Sequence, residues 1–225
     1  MPSGRLVLLR PVAGRNAPPG LSILPGESTF TTAANHMAHS HKVTAMSALI
    51  SLEDLGPRIC IMGPSNSGKS TLAAALSRKT ALPAVHLDQL YHLPDTDWQP
   101  RDQAEFLHLH HQAIQQDRWV MDGNYTKCLN ERLARATGYI LLDVSTPASL
   151  LRYLRRCYAS HTRPGALEGG ADNVNWAMIK HIAFVTPGNR RRYKHTLYPH
   201  IDLPKCFLQG LKDIDDAYRR WNLSA

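Results

Sequence analysis

Residues 63–70 read Gly-Pro-Ser-Asn-Ser-Gly-Lys-Ser, which fits the Walker A pattern G-x-x-x-x-G-K-[ST]. The glycines allow successive backbone N–H groups to turn inward around phosphate oxygens, and a following helix adds the partial positive charge of its N-terminus. Lys69 is expected to reach the β- and γ-phosphates, and the Ser70 hydroxyl to ligate Mg²⁺. The pattern predicts ATP binding by Gly63, Pro64, Ser65, Asn66, Ser67, Gly68, Lys69, Ser70 and Thr71.

Two aspartates are candidates for supporting this metal ion. Mg²⁺ held between phosphates prefers oxygen ligands, and a carboxylate suits that environment. Asp122 ends the segment Trp-Val-Met-Asp, and Asp143 ends the segment Tyr-Ile-Leu-Leu-Asp. Both follow apolar runs, so both are expected at the ends of buried strands, and the residues alone leave the choice between them open.

Short apolar runs alternate with helical segments from Pro57 onward. Strands are predicted at 59–62, 84–87, 119–121, 139–142 and 206–208. Helices are predicted at 69–78, 101–116, 131–136, 147–158, 174–185, 189–198 and 213–221. Strands separated by helices predict an α/β fold, a three-layer αβα P-loop NTPase with a five-stranded parallel sheet.

Several of these segments resemble known families. Val-Met-Asp122-Gly123 is similar to the strand-Asp-Gly of adenylate-kinase-like nucleoside monophosphate kinases, and this likeness implies that Asp122 supports Mg²⁺ from outside its direct ligands. Asp143 is the fallback for that role. The resemblance also implies an adenylate-kinase-like arrangement of the sheet, with a small basic lid.

The chain resembles one branch of that superfamily more closely, over about residues 58–210. The FlaR-type "DNA topology modulation" proteins, an adenylate-kinase-related P-loop family, resemble this chain in the order of several motifs. These are His86-Leu-Asp88, Trp98, Arg101, Asp122-Gly-Asn-Tyr125 and Thr162-Arg-Pro164. The family name refers to DNA, whereas its motifs are those of a small-molecule kinase.

The segment that follows the second predicted strand is expected to bind the phosphoryl acceptor. His86-Leu-Asp88-Gln-Leu-Tyr91 resembles the Asp-x-Phe-Tyr stretch of uridine-kinase-type enzymes, which implies that Asp88 is a general base or an acceptor anchor. Arg101 is expected to grip an acceptor phosphate or carboxylate, and Trp98 to stack on a base or close a small core. Asp122 and Tyr125 complete the predicted acceptor-binding set.

Positive charge is concentrated in one part of the chain. The formal net charge is +8, and residues 152–194 carry nine lysines and arginines against two acidic residues. This band includes a Gly-rich piece, so a lid over about 157–190 is predicted to close on the triphosphate. Arg156 and Arg163 are the predicted catalytic arginines, and Arg156, Arg190 and Arg192 are predicted to bind ATP.

The first fifty residues are expected to lie outside the domain at 57–225. Residues 1–26 contain five prolines and four glycines and have neither helical nor strand periodicity. Three interpretations stay open: a disordered extension, a start codon placed upstream of a true initiator at Met46, and a targeting segment.

Two further patterns bear on location and on metal binding. Four scattered cysteines favour reduced thiols and a cytoplasmic protein, and no apolar run is long enough for a membrane helix. His108, His110 and His111 suggest zinc, but their spacing on a helix favours a solvated face.

Two functions compete on these observations. The first is an ATP-dependent phosphotransferase, with Mg²⁺ as cofactor and ATP as substrate, that acts on a nucleoside, nucleotide or other small acceptor as a monomer or homodimer. The second is a nucleotide-regulated DNA- or RNA-binding ATPase, in which the basic band contacts nucleic acid. The sequence contains no helix-turn-helix, zinc-finger or RNP-like pattern, which favours the kinase.

Overall fold

The computed structural model describes residues 49–96, 98–158 and 175–224 of the chain. Its strands are β1 (Arg58–Met62), β2 (Ala84–His86), β3 (Trp119–Asp122), β4 (Gly138–Asp143) and β5 (Lys205–Gln209). Its α-helices are α1 (Leu52–Leu55), α2 (Lys69–Thr80), α3 (Leu87–Tyr91), α4 (Gln103–Gln115), α5 (Leu129–Arg135), α6 (Thr146–Tyr158), α7 (Trp176–Lys180), α8 (Thr186–Arg192) and α9 (Gly210–Arg220).

The five strands form one sheet in the order β2-β3-β1-β4-β5, and every neighbouring pair is parallel. This confirms the predicted α/β fold with a five-stranded parallel sheet. Because the strands are parallel, their carboxyl ends meet at one edge, where open α/β sheets bind ligands. The loops that follow β1, β2 and β3 are therefore neighbours at that edge.

The side chains of β1 alternate between two hydrophobic clusters. Ile59 and Ile61 belong to one cluster, which α2 and α9 cover. Cys60 and Met62 belong to the other, which includes residues of α4 and α5. Both faces of the sheet are thus buried, which explains why the strands read as continuous apolar runs.

The packed domain begins earlier than the predicted residue 57. Leu49, Ile50 and Leu52 pack against the first cluster, and Leu55 is fully buried in it. The indole Nε1 of Trp221 also donates to the Ile50 carbonyl at 2.9 Å. This apolar stretch is too short to have a recognisable period in the sequence. The other residues of the predicted N-terminal extension, 1–48, lie outside the described part.

The helical segment from residue 176 to residue 197, which begins within the predicted lid, is more continuous than the sequence indicates. A π-helical segment (His181–Val185) joins α7 to α8, and a second one (Tyr193–Leu197) follows α8. Pro187 lies at the start of α8, directly after the first π-helical segment, so the proline is accommodated without a break. The sequence predicts two separate helices here because a proline ordinarily ends one.

Among the described helices, none combines the length and the apolarity that crossing a bilayer requires. All four cysteines are free thiols, and three of them are buried. The buried ones are Cys60, Cys128 and Cys206.

The prediction of a solvated histidine face is wrong for His110. His108 and His111 are exposed, but His110 is 0% exposed and lies at i, i+4 spacing from buried Phe106 on the apolar stripe of α4. In the described structure neither of its ring nitrogens has a hydrogen-bond partner. Burial lowers the pKa of His110 to about 4, and the positive charge of Arg132 adds to this effect. No group of metal-binding side chains is found among the described residues.

We expect His110 to make the fold sensitive to acid. The unfolded chain takes up a proton near pH 6.5, whereas the folded protein resists protonation until about pH 4. The free energy of unfolding should therefore fall as pH is lowered through this window, by at most about 3 kcal/mol. His110→Leu, of similar volume, should flatten this part of the curve in urea unfolding, whereas His111→Leu should not. Parallel curves for the wild type and His110→Leu would contradict the assignment.

Candidate functional site

The P-loop, residues 63–70, connects β1 to α2 through a turn that requires glycine. Gly63 has a φ of 151°, and a Cβ there would lie 2.5 Å from the Leu142 carbonyl oxygen. Asn66 and Gly68 are left-handed, with φ of 60° and 96°. Gly68 is the N-cap of α2 and has no side chain to cap it. The loop thus curls around an uncapped helix N-terminus, which is an arrangement that binds anions.

Two polar side chains of the P-loop are placed to meet such an anion. The Ser67 hydroxyl is fully buried and has no hydrogen-bond partner among the described residues. Lys69 Nζ donates to the Pro64 carbonyl at 2.9 Å. Burial lowers the pKa of Lys69, and the negative charges of Asp122 and Asp88 oppose this change. A phosphate would satisfy the hydroxyl and stabilise the ammonium.

Asp122 joins this loop to the end of β3. Its carboxylate is 3% exposed, and one oxygen accepts the Ser70 hydroxyl at 2.7 Å. The other oxygen bonds to Nδ1 of His86. The Ser70 hydroxyl is a hard oxygen ligand of the kind that Mg²⁺ prefers, and Asp122 is bonded to that hydroxyl, so the pair fits the predicted metal with Asp122 outside the direct ligands.

The next two residues reach two other parts of the site. The Asn124 amide accepts from the Gly63 N–H at 3.2 Å and donates to the Gly63 carbonyl at 2.8 Å. The Tyr125 hydroxyl donates to Oδ1 of Asp88 at 2.8 Å. The segment 122–125 therefore connects Ser70, the P-loop entry and the predicted acceptor carboxylate. The sequence analysis assigns no role to Asn124. The one sequence feature that could have identified it is its position within the Asp122–Tyr125 block.

Asp88 lies in the first turn of α3 and is exposed. Its partner Tyr125 packs against Tyr91 and Phe106, with ring centroids 4.9 and 5.1 Å away. Burial and then the charge of Asp88 raise the pKa of Tyr125, so the phenol stays a hydrogen-bond donor. Asp88 is thus a carboxylate with one oxygen held by a phenol, in a position open to solvent.

Arg101 and Trp98 have local partners. The Arg101 guanidinium donates to the carbonyls of Leu90 at 3.1 Å and His92 at 3.4 Å, and to Glu105 at 2.6 Å. Trp98 packs edge-on against His92, with ring centroids 5.2 Å apart. These contacts hold the loop between α3 and α4. Acceptor binding by Arg101 and Trp98 stays a prediction.

Two arginines of α6 lie against the P-loop. Nη1 of Arg156 donates to the Asn66 side chain at 2.6 Å. Nη2 of Arg152 lies 2.8 Å from the point where a Gly68 Cβ would be. The sequence predicts ATP binding by Arg156 and assigns no role to Arg152, although their i, i+4 spacing puts both side chains on one helix face. ATP binding by Arg156 stays a prediction.

The returning helix places its cations differently. Arg190 forms a bidentate pair with Asp143, which is 2% exposed, and Lys194 Nζ lies 3.5 Å from the same carboxylate. Asp143 therefore anchors α8 to the end of β4. Arg192 is exposed. ATP binding by Arg190 and Arg192 stays a prediction, and Arg163 lies outside the described residues.

Comparisons with known proteins return likenesses of fold. No family model matches the chain, and no curated protein matches it. Gluconokinase from Sinorhizobium meliloti 1021 has 13% identity over 74% of this chain and 90% of its own, with a TM-score of 0.48. Shikimate kinase from Bacteroides thetaiotaomicron has 19% identity over 73% and 95%, with a TM-score of 0.46. Deoxyadenosine kinase from M. mycoides has 17% identity over 73% and 97%, with a TM-score of 0.42.

We expect Gly63→Ala to destabilise the protein by about 2 kcal/mol or more, because its Cβ would meet a backbone carbonyl at a positive φ. Gly188→Ala is the matched control. Gly188 lies in α8 with nothing within 4 Å of its Cβ position, so alanine there should be neutral or stabilise by up to about 1 kcal/mol. Urea unfolding measures both. Equal stability of the two variants would contradict the tight turn at Gly63.

Proposed function

We propose that this protein is an ATP-dependent phosphotransferase that moves the γ-phosphoryl group of MgATP to a hydroxyl of a small molecule. The observation that carries the proposal is the set of hydrogen bonds made by the segment 122–125. This segment bonds simultaneously to the predicted metal ligand Ser70, to the P-loop entry at Gly63 and to the predicted acceptor carboxylate Asp88. Phosphoryl transfer depends mainly on such relative positioning of donor and acceptor.

Each residue then has a role in the transfer. The P-loop N–H groups and Lys69 hold the phosphates. Ser70 would ligate Mg²⁺ and Asp122 would support it from outside the direct ligands, and the metal would neutralise charge on the phosphates. Asp88 accepts the proton of the acceptor hydroxyl as the hydroxyl oxygen bonds to the γ-phosphorus. The bond from that phosphorus to the bridging oxygen breaks, and ADP leaves with the electron pair. Arg156, which bonds to the P-loop residue Asn66, would stabilise the transferring group.

The contacts of Arg101 bear on the class of acceptor. Three of the five N–H donors of its guanidinium bond to Leu90, His92 and Glu105, which hold it against its own loop, whereas Asp88 is exposed. A carboxylate attracts a hydroxyl and repels a phosphate monoester. We therefore favour an uncharged hydroxyl acceptor, such as a nucleoside or another alcohol, over a nucleoside monophosphate. Membership of the FlaR-type family stays a prediction.

A second candidate function is the nucleotide-regulated nucleic-acid-binding ATPase. It is favoured by exposed aromatic rings beside cations, since such surfaces stack bases and neutralise phosphates. Trp176 and Phe184 are 73% and 80% exposed and lie eight positions apart, with Lys180 midway between them. The two functions differ in what accelerates ADP formation.

We expect ADP formation from MgATP to be stimulated by hydroxyl compounds, tested as a panel of nucleosides, nucleoside monophosphates and other alcohols. Lys69→Ala should lower this rate by about 100-fold or more because it removes the charge over the phosphates. The matched control is Lys79→Ala, an exposed lysine on the same helix, α2. Stimulation by DNA or RNA and by no small acceptor would overturn the kinase and support the second function.

The role of Asp88 has a separate test once an acceptor is found. Asp88→Asn should lower kcat by roughly 10²- to 10⁴-fold, because the amide cannot take the proton, and should leave MgATP affinity unchanged. Tyr125→Phe should have a smaller effect, since it removes one hydrogen bond to the carboxylate. Asp117→Asn, a change at an exposed carboxylate, is the control. An unchanged kcat for Asp88→Asn would remove the proposed base.

A further inference from the structure

His86 is the last residue of β2, and its position relative to Asp122 is fixed by strand pairing. The two residues are direct partners in the parallel register of β2 and β3. Registered partners on adjacent strands point to the same face of the sheet. The His86 ring and the Asp122 carboxylate therefore emerge side by side at the edge where the P-loop lies.

The contacts divide the Asp122 carboxylate between two donors. Oδ1 bonds to Nδ1 of His86, and Oδ2 accepts the Ser70 hydroxyl at 2.7 Å. The side chains are 11% exposed for His86 and 4% for Asp122, so water has little access to this pair. Because a buried carboxylate needs donors on both oxygens, the imidazole fixes how the carboxylate is rotated.

Ser70 alone does not fix the rotation of this carboxylate, because its hydroxyl bonds to one of the two oxygens only. If Oδ1 lost its donor, the carboxylate would be free to turn away from Ser70. That movement would disturb the hydroxyl–carboxylate pair that fits Mg²⁺.

We propose that His86 is a positioning residue for the metal-nucleotide site, whose Nδ1–H holds the Asp122 carboxylate in the rotation that keeps Oδ2 at Ser70. This inference rests on the proposed function, because it assumes that Ser70 and Asp122 support Mg²⁺. Partners that orient metal-supporting groups are typically worth about 10- to 100-fold in metal affinity or activity. His86 is expected to act on binding of the metal-nucleotide complex and not on binding of the metal-free nucleotide.

Two substitutions of His86 separate the effect of its Nδ1–H donor from the effect of its size and polarity. The Asn amide nitrogen takes the place of Nδ1, so His86→Asn retains a donor toward Asp122. The Gln amide nitrogen takes the place of Nε2, so His86→Gln loses that donor while staying polar. His108→Asn, at an exposed histidine on α4, is the control. Thermal unfolding of each variant checks that the fold is retained.

The measurement is calorimetric ADP affinity with excess Mg²⁺ and with EDTA. We expect His86→Gln to lose about tenfold or more in affinity with Mg²⁺ and little with EDTA. His86→Asn and His108→Asn should stay close to the wild type in both. Binding of Mn²⁺ in the presence of ADP, followed by the amplitude of the free-ion EPR signal, should rank the variants in the same order.

The possible failures are distinguishable. If the wild type binds ADP under neither condition, the proposed nucleotide site fails and this inference fails with it. If the wild type binds ADP and His86→Gln matches it with Mg²⁺, positioning by His86 is overturned and the proposed function stands. An equal loss with Mg²⁺ and with EDTA would identify His86 as a support for the loop itself, which also overturns the inference.

Discussion

The buried carboxylate of Asp122 is the constraint on which the rest of the site depends. A carboxylate that is 3% exposed is tolerated because each oxygen has a donor, Ser70 on one side and His86 on the other. Those donors come from α2 and β2, while Asp122 itself ends β3. One carboxylate thus fixes β3 relative to α2 and β2, and it does so at the sheet edge where the P-loop turns.

Close packing leaves little freedom to the backbone where β1 enters the P-loop and where β3 ends. A Cβ at Gly63 would meet the Leu142 carbonyl at 2.5 Å, and one at Gly123 would meet Leu87 Cβ at 2.7 Å. Asn124 then bonds to the N–H and the carbonyl of Gly63. The P-loop is therefore held from both sides before any ligand binds, which lowers the ordering cost of binding. A preorganised cradle of this kind is what electrostatic stabilisation of a transferring phosphoryl group needs.

The fold and the P-loop are predictable from sequence because their signals are local. Strands appear as apolar runs, and the Walker A pattern lies between one of them and a helix. The contacts that complete the site are long-range: Asn124 and Gly63 are 61 positions apart, and Arg156 and Asn66 are 90 apart. Residue type predicts what Arg101 can bond to, but only the fold determines that two of its partners are the carbonyls of Leu90 and His92. His110 was the opposite case, because its place on the stripe of Phe106 and Ile114 was visible in the sequence and was outweighed by its polarity.

The hydrogen bonds and ion pairs of the described residues show what the basic residues of the chain contact. The basic band that the sequence shows at 152–194 divides into groups with different tasks. Arg152 and Arg156 lie against the P-loop, where they add to the positive potential of the α2 N-terminus. Arg190 and Lys194 neutralise buried Asp143 and so attach the returning helix to β4. Asp143 therefore offsets part of the charge of that helix, whereas the two arginines of α6 keep their charge beside the P-loop.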